Sequence, residues 1–65
     1  MKPGQLVRIL PSYTLVKMGM GKLVGNEAAV ISVVEKDGKV TGCWCEFSSE
    51  WNGEREWFIP INSLA

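Results

Sequence analysis

The chain ends on Glu56-Trp57-Phe58-Ile59-Pro60-Ile61-Asn62-Ser63-Leu64-Ala65, and this segment limits the fold more than any other. Its aromatic and β-branched residues suit the pleated, half-buried surface of a strand. Pro60 has no N–H to give to a ladder, so the strand over residues 55–59 has to stop there. Ile61-Asn62-Ser63-Leu64 leaves room for one turn of 3₁₀ type, with Leu64 as an apolar plug. A strand needs others to pair with.

Two turn signals supply them. Asp37-Gly38 and Asn52-Gly53 are dipeptides that tolerate positive φ and join antiparallel strands. The first separates a run over 28–34 from a strand over 40–47; the second closes the turn region 48–54 ahead of the last strand. Gln5-Leu6-Val7-Arg8-Ile9-Leu10, between Pro3-Gly4 and Pro11-Ser12, reads as the opening strand. Val7 and Ile9 form its core face, because Arg8 on the other face needs solvent. In the 40–47 strand, alternation places Cys43, Cys45 and Phe47 inside and turns Trp44 outward. Ala28-Ala29-Val30-Ile31-Ser32-Val33-Val34 is almost continuously apolar, the pattern of a strand covered on both faces. One face has the core; the other is expected to meet a partner. Residues 11–27 carry Gly19, Gly21 and Gly25, which break regular structure; within them Tyr13-Thr14-Leu15-Val16-Lys17-Met18 reads as a short extended piece or one arm of a long loop. No helical period is sustained in any window.

The 65 residues form one domain, 1–65. A chain this short buries only about 60% of the surface it exposes when unfolded, and its core supplies roughly 3–5 kcal/mol of net stability. Disulfides, metals or self-association commonly make up the rest. Cys43 and Cys45 lie two apart, so on a strand they sit ~7 Å from each other along one face, too far to bond. With no histidine and no further cysteines, a zinc site is not expected either. Self-association or association with another subunit remains. No apolar run approaches the ~18 residues of a membrane span, and the sequence is read as a cytoplasmic chain with reduced thiols.

The formal net charge is zero, but unevenly spread. Residues 1–26 carry Lys2, Arg8, Lys17 and Lys22 and no acid; residues 27–65 carry three cations against seven acids. A neutral chain is a poor generic nucleic-acid binder, because that affinity comes from many Lys and Arg contacts to phosphate. A two-signed surface suits head-to-tail or heteromeric docking.

The layout resembles the SH3-like barrel superfamily over nearly the whole chain. Gly4-Gln5-Leu6-Val7-Arg8-Ile9 is similar to the first strand of several bacterial and plastid members, among them the small extrinsic SH3-like subunit of photosystem I. Gly38-Lys39-Val40-Thr41, Cys43-Trp44, Arg55-Glu56-Trp57-Phe58 and Leu64 resemble a small family of uncharacterised bacterial proteins. Phe58-Ile59-Pro60-Ile61-Asn62-Ser63-Leu64 looks like the close of eukaryotic signalling SH3 domains. The resemblance implies an all-β fold: a small, five-stranded, partly open barrel with a short 3₁₀ turn near the C-terminus. The proline-peptide groove of the signalling domains does not carry over, since only Trp44, Pro60 and Asn62 map onto it and Ser63 stands where they have tyrosine. Type II dihydrofolate reductases share the barrel and build one active site at a tetramer pore. Their motif V-Q-I-Y-P falls on Glu56-Trp57-Phe58-Ile59-Pro60, so the residues that contact folate and nicotinamide are missing.

No catalytic constellation is expected in a chain without histidine, and no cofactor or metal is assigned. The aromatics carry the functional reading. Trp44, Trp51 and Trp57, joined by Tyr13 and Pro60, are the candidate protein-binding residues, with Trp57 expected beside Trp44 on the adjacent strand. The competing role for one or two of the tryptophans is to cap the ends of the core. The sequence therefore predicts a non-catalytic protein-interaction or assembly module that docks a partner or itself. The alternatives are a small nucleic-acid-binding barrel, opposed by Glu46, Glu50, Glu54 and Glu56 around the indoles, and, by analogy of fold alone, an oligomeric-pore reductase or an accessory subunit of a redox complex.

Overall fold

The structure, a computed structural model, describes residues 1–65. It is mostly β, with four antiparallel strands in chain order: β1 Leu6–Arg8, β2 Glu27–Lys36, β3 Lys39–Trp51 and β4 Glu54–Pro60. Both hairpin turns form where positive φ was expected, at Asp37 (φ 54°) with Gly38 (φ 79°) and at Asn52 (φ 53°) with Gly53 (φ 83°). Residues 61–63 make the expected 3₁₀ turn. Beyond it Leu64 forms an isolated antiparallel bridge with Ile9, Leu10 N–H donates to the Ser63 carbonyl at 2.7 Å, and Arg8 N–H donates to the Ala65 carbonyl at 3.4 Å. The end of the chain thus ties β1 to the far side of the sheet through one bridge rather than a further full strand.

Of the two forms expected for residues 13–18 in the connection between β1 and β2, the extended piece is not found; the segment is an arm of the long connection that coils into a helix. Tyr13–Lys17 is a short α-helix, α1, and Gly21–Leu23 a 3₁₀ turn. Five residues give too little periodicity to read from sequence, and so short a helix depends on its cap and its docking. Ser12 caps it: its Oγ accepts from Leu15 N–H at 3.1 Å and shares a hydrogen bond with Ser63 Oγ at 2.5 Å. Ser63 is fully buried and Leu15 is the one buried residue of α1. Ser63 therefore pins the connecting segment to the closing turn.

The core is one cluster. Val7 and Ile9 meet Ala28 and Val30 of β2, Cys43, Cys45 and Phe47 of β3 and Ile59 of β4, with Leu15, Met20 and Leu23 covering them from the connection. The predicted inward sides of β1 and β3 are those observed. Two bulges shape the β2–β3 pairing. Val30 pairs Cys45 but Ser32 pairs Trp44, leaving Ile31 extra on β2; Val34 pairs Gly42 but Glu35 pairs Val40, leaving Thr41 extra on β3. Each bulge adds local bend and twist. The two offsets cancel, so the register set by the first turn is regained at Ala28–Phe47.

Candidate functional site

The face of the sheet turned away from the core carries the exposed aromatic. Trp44 is 44% exposed at the centre of β3, as alternation against buried Cys43 and Cys45 requires. Its neighbour on β4 is Phe58, directly across in register, with ring centroids 5.9 Å apart in an edge-on arrangement. On β2 it faces Ser32 and the bulged Ile31, which is 40% exposed. The rows on either side are Ala29 with Glu46 and Glu56, and Val34 with Gly42 and Pro60; exposed Leu6 extends the first row across β1. The apolar run in β2, expected to be covered on both faces, is therefore covered by the chain itself on its core side alone.

Gly42 lets this face close over β3. A Cβ there would lie 2.6 Å from Phe58 Cζ and would run into the backbone carbonyl of Ile59. The Phe58 ring rests on the glycine, which is itself buried.

Trp57 is not beside Trp44. It pairs with Cys45, so it lies on the opposite, core side of the sheet. Its ring meets Trp51 edge-on at 4.8 Å between centroids, its Nε1–H donates to the Glu54 carbonyl at 3.1 Å, and both rings pack against the core. These two tryptophans close the end of the core at the second hairpin. Pro60 is buried at the end of β4 opposite Gly42 and offers no ring to a partner. Tyr13 is 78% exposed on α1, with Lys17 Nζ 5.6 Å from its ring centre. The five candidate residues therefore divide: Trp44 stands on the open sheet face, Trp51 and Trp57 at the core end, Tyr13 on the helix, and Pro60 lies buried against Gly42 at the edge of the outward face. Phe58 belongs with Trp44, although sequence reasoning had not chosen it. The available signal was Gly42 in mid-strand, which marks a close approach to the backbone.

The thiols are buried and free. Burial raises the Cys43 thiol above its ordinary value, against a smaller opposing effect of the nearby N-terminal ammonium. Burial, with a smaller contribution from Cys43, pushes Cys45 up to about 11. Both are thiols rather than thiolates near neutral pH, which makes them poor nucleophiles and poor soft-metal ligands. Met1 Sδ lies 3.1 Å from Cys43 Sγ. An open cleft of about 500 Å³ lies where residues 22–27 face 47–51. Its charges are mixed, Arg8 and Lys22 against Glu27 and Glu50, and it holds no thiol. Of the basic residues in the first part of the chain, Arg8 is held by Glu27 at 3.7 Å and Lys17 by Tyr13. No helix is long and apolar enough to cross a membrane.

No family model matches the chain, and no curated protein or solved structure matches it significantly.

Proposed function

We propose that this chain is a non-catalytic protein-interaction or assembly module, and that its binding surface is the outward sheet face centred on Trp44. The observation that carries this is Trp44 itself. An indole left 44% exposed among Ile31, Phe58, Ala29, Val34 and Leu6 keeps a continuous apolar strip in contact with water. Burying such a strip is favourable by about 25 cal/mol per Å² of apolar surface. Large side chains of this kind, tryptophan above all, dominate interface energetics. The surface is narrower than the sequence implied: Trp44 and Phe58 replace the set of three tryptophans, and Tyr13 stands apart.

The fold we propose is an SH3-like barrel in which the fifth strand is reduced to the Leu64 bridge. The order of strand, folded connection, three-stranded meander and 3₁₀ turn supports this, as does the return of residues 63–65 to β1. Two free buried thiols support a reducing compartment such as the cytoplasm.

The test is the size at which the chain migrates in extract of its own cells. The wild type is expected to elute as a complex well above its 7.2 kDa, and Trp44→Ala, with an unchanged far-UV spectrum, to elute as the monomer. A wild type that elutes as a monomer, or a variant that co-elutes with wild type, overturns the proposal.

A further inference from the structure

We propose that the occupant of the Trp44 face is a second copy of this chain, stacked face to face with its strands reversed, so that the hairpin lysines of each copy meet the paired glutamates of the other. This inference rests on the functional reading above and supplies its partner.

The outward face carries two cross-strand pairs of like charge. Lys36 of β2 sits directly across from Lys39 of β3, and Glu46 of β3 directly across from Glu56 of β4. Like charges directly opposite each other on a sheet are destabilising. Neither pair is relieved within the chain, whose one salt bridge joins Arg8 and Glu27. All four side chains are exposed. The pleat places them on one face: Lys36, Val34 and Ser32 alternate with Glu35 and Val33 on β2, and Glu46 aligns with Trp44 and Gly42 on β3.

Their positions are self-complementary. Lys39 and Glu46 are seven residues apart on β3, and because Thr41 is bulged between them they stand six ladder steps apart on one face, about 20 Å at strand rise. Between them lie the Val34–Gly42–Pro60 and Ser32–Trp44–Phe58 rows. A two-fold axis through the middle of this span, between Gly42 and Trp44, exchanges the two ends. It lays Lys39 of each copy over Glu46 of the other, with Lys36 and Glu56 one strand spacing, about 4.8 Å, to either side, and brings Trp44 and Phe58 of both copies together near the centre. Stacked sheets keep their strands within about 30° of alignment and about 10 Å apart, a spacing that indole and phenyl rings fill. The symmetry is isologous and closed, so assembly stops at two. A stack in the parallel sense sets lysine over lysine and glutamate over glutamate, so the charges select the reversed one. A face four strands wide is small for an interface, and the dimer is expected to be concentration-dependent.

Sedimentation equilibrium of the purified chain tests this, from about 10 µM to about 1 mM, a range that brackets modest affinity. The wild type is expected to rise from 7.2 kDa toward twice that mass. Lys36→Glu with Lys39→Glu, and separately Glu46→Lys with Glu56→Lys, are each expected to weaken the dimer at least tenfold. Equal mixing of the two variants is expected to restore it as a heterodimer. The four residues are exposed, and circular dichroism of each variant verifies that the fold is intact. A wild type that stays at 7.2 kDa overturns the second-copy inference; the docking reading itself then survives only if the complex in extract still depends on Trp44. A dimer indifferent to both charge reversals, or variants that do not recover on mixing, overturns the reversed stacking. Loss of the Trp44 dependence in extract overturns the docking reading and this inference with it.

Discussion

Replacing Gly42 by alanine adds one methyl at the point where β4 lies closest to β3. Its φ is ordinary, so glycine is required there by space and not by backbone conformation. The new carbon would stand 2.6 Å from Phe58 Cζ and 3.0 Å from Phe58 Cε1. Carbon atoms settle at about 3.5–4.0 Å, so the ring has to withdraw by roughly 1 Å. A ring can do that cheaply; the Ile59 carbonyl, also in the way, cannot, because it belongs to the β3–β4 ladder beside fully buried Cys43 and Ile59. Overpacking of this kind costs about 1–3 kcal/mol. The reduced entropy of the unfolded chain offsets about 0.4–1 kcal/mol. A net loss of about 1–2 kcal/mol is a large share of the roughly 3–5 kcal/mol available to so small a core. Urea unfolding followed by tryptophan fluorescence reads it directly: with a slope near 1 kcal/mol/M, the midpoint is expected to fall by about 1–2 M. The double variant with Phe58→Ala is expected to recover little, because the carbonyl clash remains. A Gly42→Ala midpoint equal to or above wild type refutes the close approach, and with it the placement of Phe58 beside Trp44.

Ser12→Ala removes both the helix cap and the partner of buried Ser63, and is expected to cost about 1–2 kcal/mol in the same urea experiment; an unchanged midpoint would mean that α1 does not depend on this link. Trp44→Ala, by contrast, removes an exposed ring with one edge-on contact and is expected to shift stability by no more than about 1 kcal/mol, so a melted variant would place that indole in the core. For Cys45, the neutral thiol is favoured in the folded state, with its value raised from 9.0 to about 11. The unfolded chain releases its proton first, so stability is full below about pH 9 and declines as pH rises toward about 11. Cys45→Ala is expected to flatten that decline in thermal melts across the range, and an identical decline in both proteins would show that the thiol is not buried.

The legible parts of the fold were those fixed by local rules. Positive-φ dipeptides located both hairpin turns, and alternation separated Cys43 and Cys45 from Trp44. The β3–β4 register was not local. The Asn52-Gly53 turn pairs Trp51 with Glu54, yet Glu46 pairs with Glu56, so four residues of β3 face a single residue of β4 between those pairs. That irregularity sends Trp57 to the core side and brings Phe58 to Trp44, and no residue in Phe47-Ser48-Ser49-Glu50 announces it. Helix α1 was hidden for a related reason: its stability comes from Ser12, Ser63 and Leu15 meeting across the chain, and five residues show no period by themselves. Of the like-charge pairs, Lys36 and Lys39 follow from the Asp37-Gly38 turn, whereas Glu46 opposite Glu56 became visible only with the β3–β4 register.

Fluorine NMR of the chain labelled with 5-fluorotryptophan separates the three indoles, and Trp44→Phe identifies one of them. Recorded from dilute to concentrated protein, the Trp44 resonance is expected to move progressively while those of Trp51 and Trp57 hold still. A stationary Trp44 signal, or movement confined to the other two, would contradict the docking of two copies through the open sheet face.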